Sequence, residues 1–506
     1  MAKTAVEKKD NRPNFLIILA DDLGYGDVQC YNPTRGKIPT PNIDGLAAQG
    51  IRFTDAHSSS AVCSPSRYTL LTGRYHWRTR LQSGIVNVFG EPLIAPGRLT
   101  IASLVKKKGY QTACIGKWHL GWDWPADSIQ RKLLLADSKP ATTSEEIPTT
   151  AAHRELWQNI FSKPIEGGPT TRGFDRYFGT DVPNWPPFCF IENNRTVGIP
   201  TEFLPAENFS RNLASLRGPA LKEWKLENIL PGLGDQAVRF ISEAAEKKKP
   251  FLLYLPLTSP HTPLAVNESW KGKSGLNAFG DLVMETDELV GKVLEALDKS
   301  GVAENTIVLF TSDNGCAPYI GVEEMEAKGH FPSGLLRGYK GDAWEGGHRI
   351  PFIIRWPGVV KPGRVCNQLV HQADLLATIS GILGMKIPDN AGEDSFSILP
   401  LLHGRDKPIR ENAVSCSLNG VPSIRKGDWK LIAGSAAGGM SKMRDTNQIK
   451  LYNLSRDPGE KENLAENEPN RVADMRDLLE KVISGGRSAP GKEQQNDIQV
   501  RRYPAK

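Results

Sequence analysis

The sequence predicts an α/β fold, with a large mixed, mostly parallel sheet sandwiched by helices and a smaller C-terminal domain of antiparallel sheet plus helix. Three observations support this prediction. Short apolar runs such as 14–20 recur, and they are typical of strands buried on both faces of a parallel sheet. Amphipathic helical patterns alternate with them, most clearly at 234–249 and 281–299. Beyond about residue 405 the strand patterns are short and closely spaced, which is typical of an antiparallel sheet.

We predict four segments along the chain. Residues 1–13 form a disordered N-terminal segment, and residues 14–404 form the large α/β domain. Residues 405–485 form the smaller domain, where a hairpin around 426–428 and a closing helix around Met475 are the clearest patterns. Residues 486–506 form a polar tail that we expect to be poorly ordered.

Composition sets broad limits. The 506 residues are 39% hydrophobic and carry a formal net charge of +6. No apolar run approaches the ~20 residues that a membrane-spanning helix needs. The basic runs at 106–108 and 247–249 follow helical patterns, where cations are favoured, so they do not predict nucleic-acid binding. The seven cysteines have neither paired nor metal-ligand spacing, so no disulfide framework is indicated.

Acidic and amide side chains follow two of the predicted strands. Asp21 and Asp22 come after the first strand, and Asp313 and Asn314 come after the apolar run at 306–311. Open α/β sheets bind ligands beyond the carboxyl ends of their strands. For either pair alone, residues that simply form the turn are an equally good explanation. Together they offer three carboxylates and an amide oxygen, which suit calcium or magnesium rather than zinc.

Cationic and imidazole side chains occupy similar positions. Lys117 and His119 follow the predicted strand at 110–115, and His261 follows the run at 251–255 between two prolines, which exclude a helix there. Lys340 lies in a loop at 336–341. Each residue alone would be an ordinary loop residue, so the motifs around them decide their interpretation.

Three motifs carry that interpretation. Residues 63–73 read C-x-P-S-R-x-x-x-L-T-G, residues 109–119 read G-Y-x-T-x-x-x-G-K-x-H, and residues 345–351 read E-G-G-x-R-x-P. A cysteine is most often a small buried hydrophobe, so Cys63 alone would not indicate chemistry. With these motifs, the chain resembles the type I sulfatases, the formylglycine-dependent, arylsulfatase-like members of the alkaline phosphatase superfamily. The resemblance covers nearly the whole chain.

The resemblance implies that residues 14–404 form the catalytic sulfatase domain and that Cys63 is modified. In this family a formylglycine-generating enzyme or an anaerobic sulfatase-maturating enzyme oxidises the motif cysteine to formylglycine (3-oxoalanine). The hydrated aldehyde, a gem-diol, attacks the sulfur of a sulfate ester and gives a covalent sulfo-enzyme intermediate. The resemblance favours calcium, with magnesium as the alternative, held by Asp21, Asp22, Asp313, Asn314 and a hydroxyl of the modified Cys63.

The remaining roles are also implied by the resemblance. Preorganised positive charge stabilises the sulfuryl oxygens, and it would come from Arg67, Lys117 and Lys340. Asp313 would orient and deprotonate the attacking hydroxyl. His261 would protonate the departing alcohol, with help from Lys340, and His119 would accept the proton whose loss releases sulfate. His348 falls at a variable position of its motif, so we predict a structural role for it, or at most a substrate contact.

We predict a sulfated carbohydrate, either a poly- or an oligosaccharide, as the substrate. Exposed tryptophans flanked by charged or polar groups suit stacking on sugar rings, although packed tryptophans are an equally good explanation. The candidate substrate-binding residues are Trp77, Arg78, Trp122, Trp124, Asp181, Asn184 and Trp185.

Three alternatives remain open. A formylglycine-dependent phosphonate monoester or phosphodiester hydrolase would share the fold and the modified cysteine. An alkaline-phosphatase-like enzyme would have a serine or threonine nucleophile and two zinc ions, which the cysteine motif disfavours. A non-catalytic carbohydrate binder would leave Cys63 unmodified.

The resemblance further implies a periplasmic or secreted protein. Residues 1–13 contain no apolar signal-peptide core. Either a signal peptide has been removed or the protein stays inside the cell, and we favour the first explanation. The sequence does not distinguish a monomer from a homo-oligomer.

Overall fold

A mixed β-sheet forms the centre of the molecule. The computed structural model describes residues 12–142, 147–209 and 214–501. Over these residues the central sheet has ten strands, in the spatial order Arg364–Cys366, Ile51–Phe53, Phe352–Arg355, Thr306–Ser312, Asn14–Ala20, Phe251–Pro256, Gln111–Ile115, Arg176–Gly179, Ile191–Glu192 and Arg195–Thr196. The five strands from Thr306–Ser312 to Arg176–Gly179 in this order are mutually parallel. The predicted large, mostly parallel sheet is confirmed.

The sheet is mixed because antiparallel strands flank its parallel centre. Phe352–Arg355 pairs antiparallel with both Thr306–Ser312 and Ile51–Phe53. At the opposite side, Ile191–Glu192 and Arg195–Thr196 form a short antiparallel hairpin. The carboxyl ends of the parallel strands therefore meet in the middle of one edge, where a ligand site is expected.

Side chains of the first strand alternate between two hydrophobic layers, as the two-residue period of a strand requires. One layer, with Phe15, Ile17 and Leu19, includes side chains of the helices Cys63–Thr72, Ile101–Lys106, Ala151–Phe161, Asp374–Ile382 and Leu399–Leu402. The other, with Leu16 and Ile18, includes side chains of Pro41–Gln49, Ile229–Glu246, Ala278–Lys299 and Val322–Ala327. Helices thus cover both faces of the sheet.

A second sheet follows near the C-terminus. Its four antiparallel strands are, in spatial order, Asn412–Cys416, Pro422–Lys426, Trp429–Ile432 and Lys450–Asn453. Helix Pro469–Ser484 packs on it through Met475, Leu479 and Val482. The predicted smaller sheet with one closing helix is confirmed, while the boundary at residue 405 stays a prediction.

The remaining elements are short. In chain order, helix Ser128–Asp137 follows strand Gln111–Ile115, and helix Glu345–His348 comes between strands Thr306–Ser312 and Phe352–Arg355. Two-residue ladders join Ala56–His57 to Val370–His371, Lys139–Pro140 to Leu216–Arg217, and Glu202–Phe203 to Pro219–Ala220. Among the residues that the structure describes, no helix is both long and apolar enough to cross a bilayer.

The predictions of disorder at the two chain ends have different outcomes. The predicted disorder at 1–13 falls almost entirely outside the described residues. The expectation of a poorly ordered tail is wrong for 486–501. Asp497 forms an ion pair with Arg74 at 3.0 Å and its main-chain N–H donates to the carbonyl of Arg78 at 2.8 Å. These contacts hold the tail against the segment that follows helix Cys63–Thr72.

Candidate active site

The carboxyl ends of neighbouring parallel strands bring the predicted acidic residues together. Asp21 and Asp22 directly follow Asn14–Ala20, and Asp313 follows Thr306–Ser312. The main-chain N–H of Asp22 donates to Oδ1 of Asp313 at 3.1 Å. Asp22 has a φ of 65°, a left-handed conformation that is costly for a residue with a side chain and is common at functional sites.

These residues form an oxygen-rich set that fits a hard divalent cation. Ligand atoms of Asp21, Asp22 and His261 all lie within 4.8 Å of one another. The amide of Asn314 donates through Nδ2 to Asp22 at 2.8 Å, while its Oδ1 is buried without a hydrogen-bond partner. A buried carbonyl-type oxygen beside carboxylates is the donor set that calcium or magnesium requires. The residues present therefore fit such an ion.

Arg67 links two of these carboxylates from the adjacent helix. Its Nη2 lies 2.8 Å from Asp313 and 3.2 Å from Asp21, and all three side chains are fully buried. Burial alone would raise the pKa of Asp21, but Lys117 and other nearby positive charges hold it well below its usual value. Burial, with the Asp21 carboxylate nearby, raises the pKa of Asp313.

Two lysines complete a cluster of buried positive charge. Nζ of Lys117 lies 2.7 Å from Asp21, and Nζ of Lys340 lies 2.6 Å from Asp22. Burial alone would lower the pKa of Lys340, but Asp22 holds it well above the usual value. Buried cations are costly unless anions surround them, so a site with three of them is suited to an anionic ligand.

Cys63 is the first residue of helix Cys63–Thr72 and is buried. Main-chain N–H groups at a helix N-terminus point towards an anion bound there. Burial raises the pKa of the Cys63 thiol, and the charges of Lys117 and Lys340 oppose this shift. The structure thus brings Cys63 close to the lysines that the sequence predicted beside it.

The surroundings of His119 decide which ring nitrogen carries its proton. Nε2 lies 2.9 Å from the carbonyl oxygen of Val86, which can only accept a hydrogen bond. The neutral ring therefore carries its proton on Nε2, and Nδ1 is buried without a partner. Burial, with Lys117 and Arg67, holds the pKa of His119 well below its usual value. Nδ1 is thus available to accept a proton.

His261 shows the opposite tautomer. Its Nδ1 lies 2.5 Å from the carbonyl oxygen of Thr262, so Nδ1 is the donor and Nε2 faces Asp22 at 3.6 Å. Burial and the charge of Lys340 lower the pKa of His261 to about 4. Burial thus lowers the pKa of both imidazoles below the usual value.

Four predicted substrate-binding side chains are buried, which contradicts the expectation that they are exposed. Trp77 stacks on Tyr75 in the core below the C-terminal sheet, with ring centroids 5.4 Å apart. Arg78 pairs with Asp394 at 2.8 Å, and both side chains are fully buried. The other two, Trp122 and Trp124, belong to an aromatic cluster in the core of the main domain. Such side chains do not reach a bound sugar.

The remaining three candidates lie beside His119 or near it. Asp181 accepts hydrogen bonds from the main-chain N–H of His119 at 3.1 Å and from Trp122 at 3.2 Å. Burial raises the pKa of Asp181 to about 6. Asn184 is buried and donates to Ala214. Trp185 is partly exposed, and its ring meets His119 edge-on at 5.5 Å. Of the seven, Trp185 alone combines exposure with closeness to a predicted catalytic residue.

Sequence reasoning missed Tyr319. Its side chain is 40% exposed, and the charges of Lys340, Asp22 and Cys63 act on its hydroxyl. Burial of the hydroxyl raises its pKa, and Lys340 opposes the shift. The only signal available was position, because Tyr319 lies six residues beyond Asp313 in the same strand-end loop.

A second buried charged cluster lies close to the loop that carries Asn314. Lys430 of the C-terminal sheet lies 3.0 Å from Glu345 and 2.9 Å from Glu460, and all three are fully buried. Nε2 of His348 lies 3.1 Å from Nζ of Lys430. The ammonium group of Lys430 therefore contacts both Glu345 and His348, which are residue types that bind metal ions in other proteins. Helix Glu345–His348 accepts a hydrogen bond from Gly315, next to Asn314, at 3.0 Å. This placement supports the structural role that we predicted for His348.

Comparison with known proteins defines the class. The sulfatase family model matches residues 13–385, and the model of the C-terminal region of N-sulphoglucosamine sulphohydrolase matches residues 340–485. The chain therefore belongs to the sulfatase family, as a type I sulfatase of the alkaline phosphatase-like superfamily, and it is a sulfuric ester hydrolase.

Individual relatives give more detail. The chain is 34% identical to N-acetylgalactosamine-6-O-sulfatase of Bacteroides thetaiotaomicron, with 94% of this chain and 95% of that protein covered. It is 31% identical to human arylsulfatase A, with 89% and 83% covered. A solved structure concerned with the metabolism of multiple glycosaminoglycans by B. thetaiotaomicron has 32% identity and a TM-score of 0.81, covering 94% and 99%.

Proposed function

We propose that this sulfatase removes sulfate from a sulfated saccharide, with a formylglycine derived from Cys63 as the nucleophile. The observation that carries the proposal is the convergence of buried positive charge and two oppositely protonated imidazoles around the N-terminus of helix Cys63–Thr72. The oxygen-rich set at Asp21, Asp22, Asp313 and Asn314 supports a divalent cation, for which calcium is our choice.

The chain's own residues would bind the ester and move its protons. The aldehyde at position 63 supplies, when hydrated, the attacking oxygen, and a bound divalent ion supplies further positive charge. Arg67, Lys117 and Lys340 orient the sulfate group and stabilise its oxygens. His119 accepts a proton at its free Nδ1. An anionic ester beside His261 would raise the pKa of that imidazole, so that Nε2 gains a proton for the departing alcohol.

A saccharide is the proposed substrate class. The relative from B. thetaiotaomicron is named for a sulfated amino sugar, and a neighbour with 25% identity and a TM-score of 0.67 was solved with k-i-k-neocarrahexaose. Partly exposed aromatic rings at Trp185, beside His119, and at Tyr319, near Lys340, are candidate contacts for a sugar ring.

The modification is tested by mass. Conversion of the Cys63 thiol to an aldehyde loses H₂S and gains oxygen, which lowers the peptide mass by about 18 Da. We expect this mass in active protein, complete loss of sulfate release in Cys63→Ala, and normal release in the control Cys30→Ala. Full activity with an unmodified thiol would contradict the proposal.

The substrate class is tested by turnover. We expect sulfate release from sulfated saccharides at a higher kcat/KM than phosphate or phosphonate release from matched esters. A preference for the phosphorus esters would favour the phosphonate monoester or phosphodiester hydrolase instead. Binding of saccharides without any turnover, by native protein whose Cys63 is an unmodified thiol, would favour a non-catalytic binder.

Maturation and export complete the proposal. Conversion of Cys63 requires a formylglycine-generating or anaerobic sulfatase-maturating enzyme as a partner. Because that residue is buried in the folded protein, modification before or during folding is the accessible route. We also propose a periplasmic or secreted location, which fractionation of the native host cells would test.

A further inference from the structure

Two lysine runs that are far apart in the chain lie side by side in the fold. Lys106–Lys108 precede the strand Gln111–Ile115, and Lys247–Lys249 precede the strand Phe251–Pro256. These strands pair in parallel, with Gln111 opposite Phe251. The main-chain N–H of Gln111 donates to the carbonyl of Pro250 at 2.9 Å. Both runs therefore enter the sheet at its amino-terminal edge, and we call these six lysines the lysine edge.

The lysine edge carries exposed positive charge that is little compensated. All six lysines are exposed, and Lys106 pairs with Asp175 at 2.6 Å. In the described part of the chain, no ion pair involves Lys107, Lys108, Lys247, Lys248 or Lys249.

Neighbouring groups do little to neutralise the lysine edge. The nearby Arg12 is itself positively charged, and its guanidinium donates to the carbonyl of Lys108. Glu243 is already paired with Arg176 and Arg239. Glu246 is exposed beside Lys247 and offsets one charge at most.

The helix dipole does not account for all of this charge. A cation in the last turn of a helix interacts favourably with the helix dipole, but the effect falls off within that turn. Lys107, Lys108 and Lys247–Lys249 lie beyond the ends of helices Ile101–Lys106 and Ile229–Glu246. Clustered like charges repel one another, whereas a polyanion would bind to such a patch.

The lysine edge lies at the opposite end of the strands from the active site. His119 follows the carboxyl end of Gln111–Ile115, and His261 follows that of Phe251–Pro256. Strands of this length, at about 3.3 Å per residue, separate the two edges by roughly 20 Å. One sulfated sugar cannot reach both, so a ligand that binds at both edges must be a polymer long enough to pass around the side of the domain.

We propose that the lysine edge is a secondary binding surface for a sulfated polysaccharide. It would hold one anionic stretch of a chain while another stretch occupies the active site, which raises the local concentration of sulfate esters there. The inference rests on the proposed function, since it takes the bound polymer to belong to the substrate class.

The test compares two variants that each lose four positive charges. The first carries Gln at four positions of the lysine edge, Lys107, Lys108, Lys247 and Lys249. The control carries Gln at four exposed lysines elsewhere, Lys361, Lys386, Lys407 and Lys461. We expect the first variant to bind immobilised heparin or chondroitin sulfate at least about tenfold more weakly, with a flatter salt dependence. The control should bind like the wild type, and both should hydrolyse nitrocatechol sulfate normally.

Other outcomes would overturn the inference. Equal weakening in both variants would indicate a general effect of net charge. Binding of duplex DNA or phosphatidylserine vesicles as tightly as heparin, with the same loss in the first variant, would reject a polysaccharide surface. The proposed function fails separately, through absence of sulfate release by modified wild-type protein whose polymer binding is intact.

Discussion

His119 donates its Nε2–H to the main-chain oxygen of Val86 at 2.9 Å, and this contact leaves Nδ1 as the ring nitrogen that can accept a proton. The partner is a backbone carbonyl, so no side-chain substitution at position 86 can remove it. The backbone carbonyl of Val86 therefore sets the tautomer of His119. The main-chain N–H of His119 in turn donates to Oδ1 of Asp181 at 3.1 Å, which holds the backbone of His119 in place. A base role for His119 depends on both contacts.

Removal of the imidazole should slow turnover and leave binding nearly intact. For His119→Ala we expect kcat to fall about 10²–10⁴-fold, the usual effect of losing a general base, with KM changed little. Steady-state hydrolysis of an aryl sulfate measures both. The control His403→Ala, an exposed histidine, should retain wild-type kinetics. A fall in kcat of less than threefold would argue against His119 as the base.

Metal binding should be detectable without activity. Calcium added to metal-free protein should raise its melting temperature, because a ligand at 100 times its Kd stabilises the folded state by about 2.7 kcal/mol. Asp21→Asn should abolish that rise, whereas Asp389→Asn, at an exposed position, should preserve it. Chelation should also remove activity, and calcium should restore it. An unchanged melting temperature in the wild type would contradict a calcium site.

Lys430 should be essential for stability, although it lies outside the active site. Its replacement in Lys430→Met leaves two fully buried carboxylates, Glu345 and Glu460, without their shared cation. We expect a loss of about 3–5 kcal/mol in the free energy of unfolding, measured in urea. Lys426→Met removes a pair with Glu411 in which the side chains are 46% and 63% exposed, and it should cost less than about 1 kcal/mol. Similar losses in both variants would refute this account.

The pH dependence of stability should report on Asp181. Burial raises its pKa from 3.8 to about 6, so the folded state favours the protonated carboxyl. This stabilisation is fully present below the pKa that Asp181 has in the unfolded chain, and it is lost as the pH rises through about 6. The loss amounts to about 3 kcal/mol in the free energy of unfolding. Asp181→Asn should escape the loss and exceed the wild type in stability at pH 8. The control Asp389→Asn should follow the wild-type pH curve, and a parallel curve for Asp181→Asn would contradict the shift.

The partly exposed aromatic residues should affect saccharides more than small esters. Trp185→Ala and Tyr319→Ala should each raise KM for a sulfated saccharide about 2–10-fold, as expected for a lost ring contact. KM for nitrocatechol sulfate should change less. Trp270→Ala, which removes a partly exposed tryptophan near Lys273, is the control. An equal effect on both substrates would indicate a structural role.

Local sequence patterns predicted the fold class and most of the residues that lie together at the candidate site. The apolar run at Asn14–Ala20 and the polar pair after it needed no long-range information, because a buried strand and its ligand edge follow from local sequence. The direction of Phe352–Arg355 was not predictable in this way. Its antiparallel pairing depends on partners that are distant in the chain.

The substrate-binding predictions failed where a distant partner changed the environment. The charged Arg78 beside Trp77 indicated an exposed binding surface. Asp394, 316 residues away, neutralises the guanidinium of Arg78, so the side chains of Arg78 and Asp394 can both be buried. The low pKa of His261 is not predictable from local sequence for a similar reason, since it results from burial in the fold and from Lys340, which belongs to a remote loop. Tyr319 carried no motif at all.

The fold of the C-terminal stretch has a practical consequence for protein preparation. Residues 494–501 supply Asp497 to Arg74 and Asn496 to Arg78, two guanidinium groups just beyond the helix that begins at Cys63. Proteolytic removal of residues 494–501 during purification would take these partners from both groups and leave Arg74 with Glu393 and Arg78 with Asp394. Batches of uneven specific activity should therefore be checked first for loss of this segment.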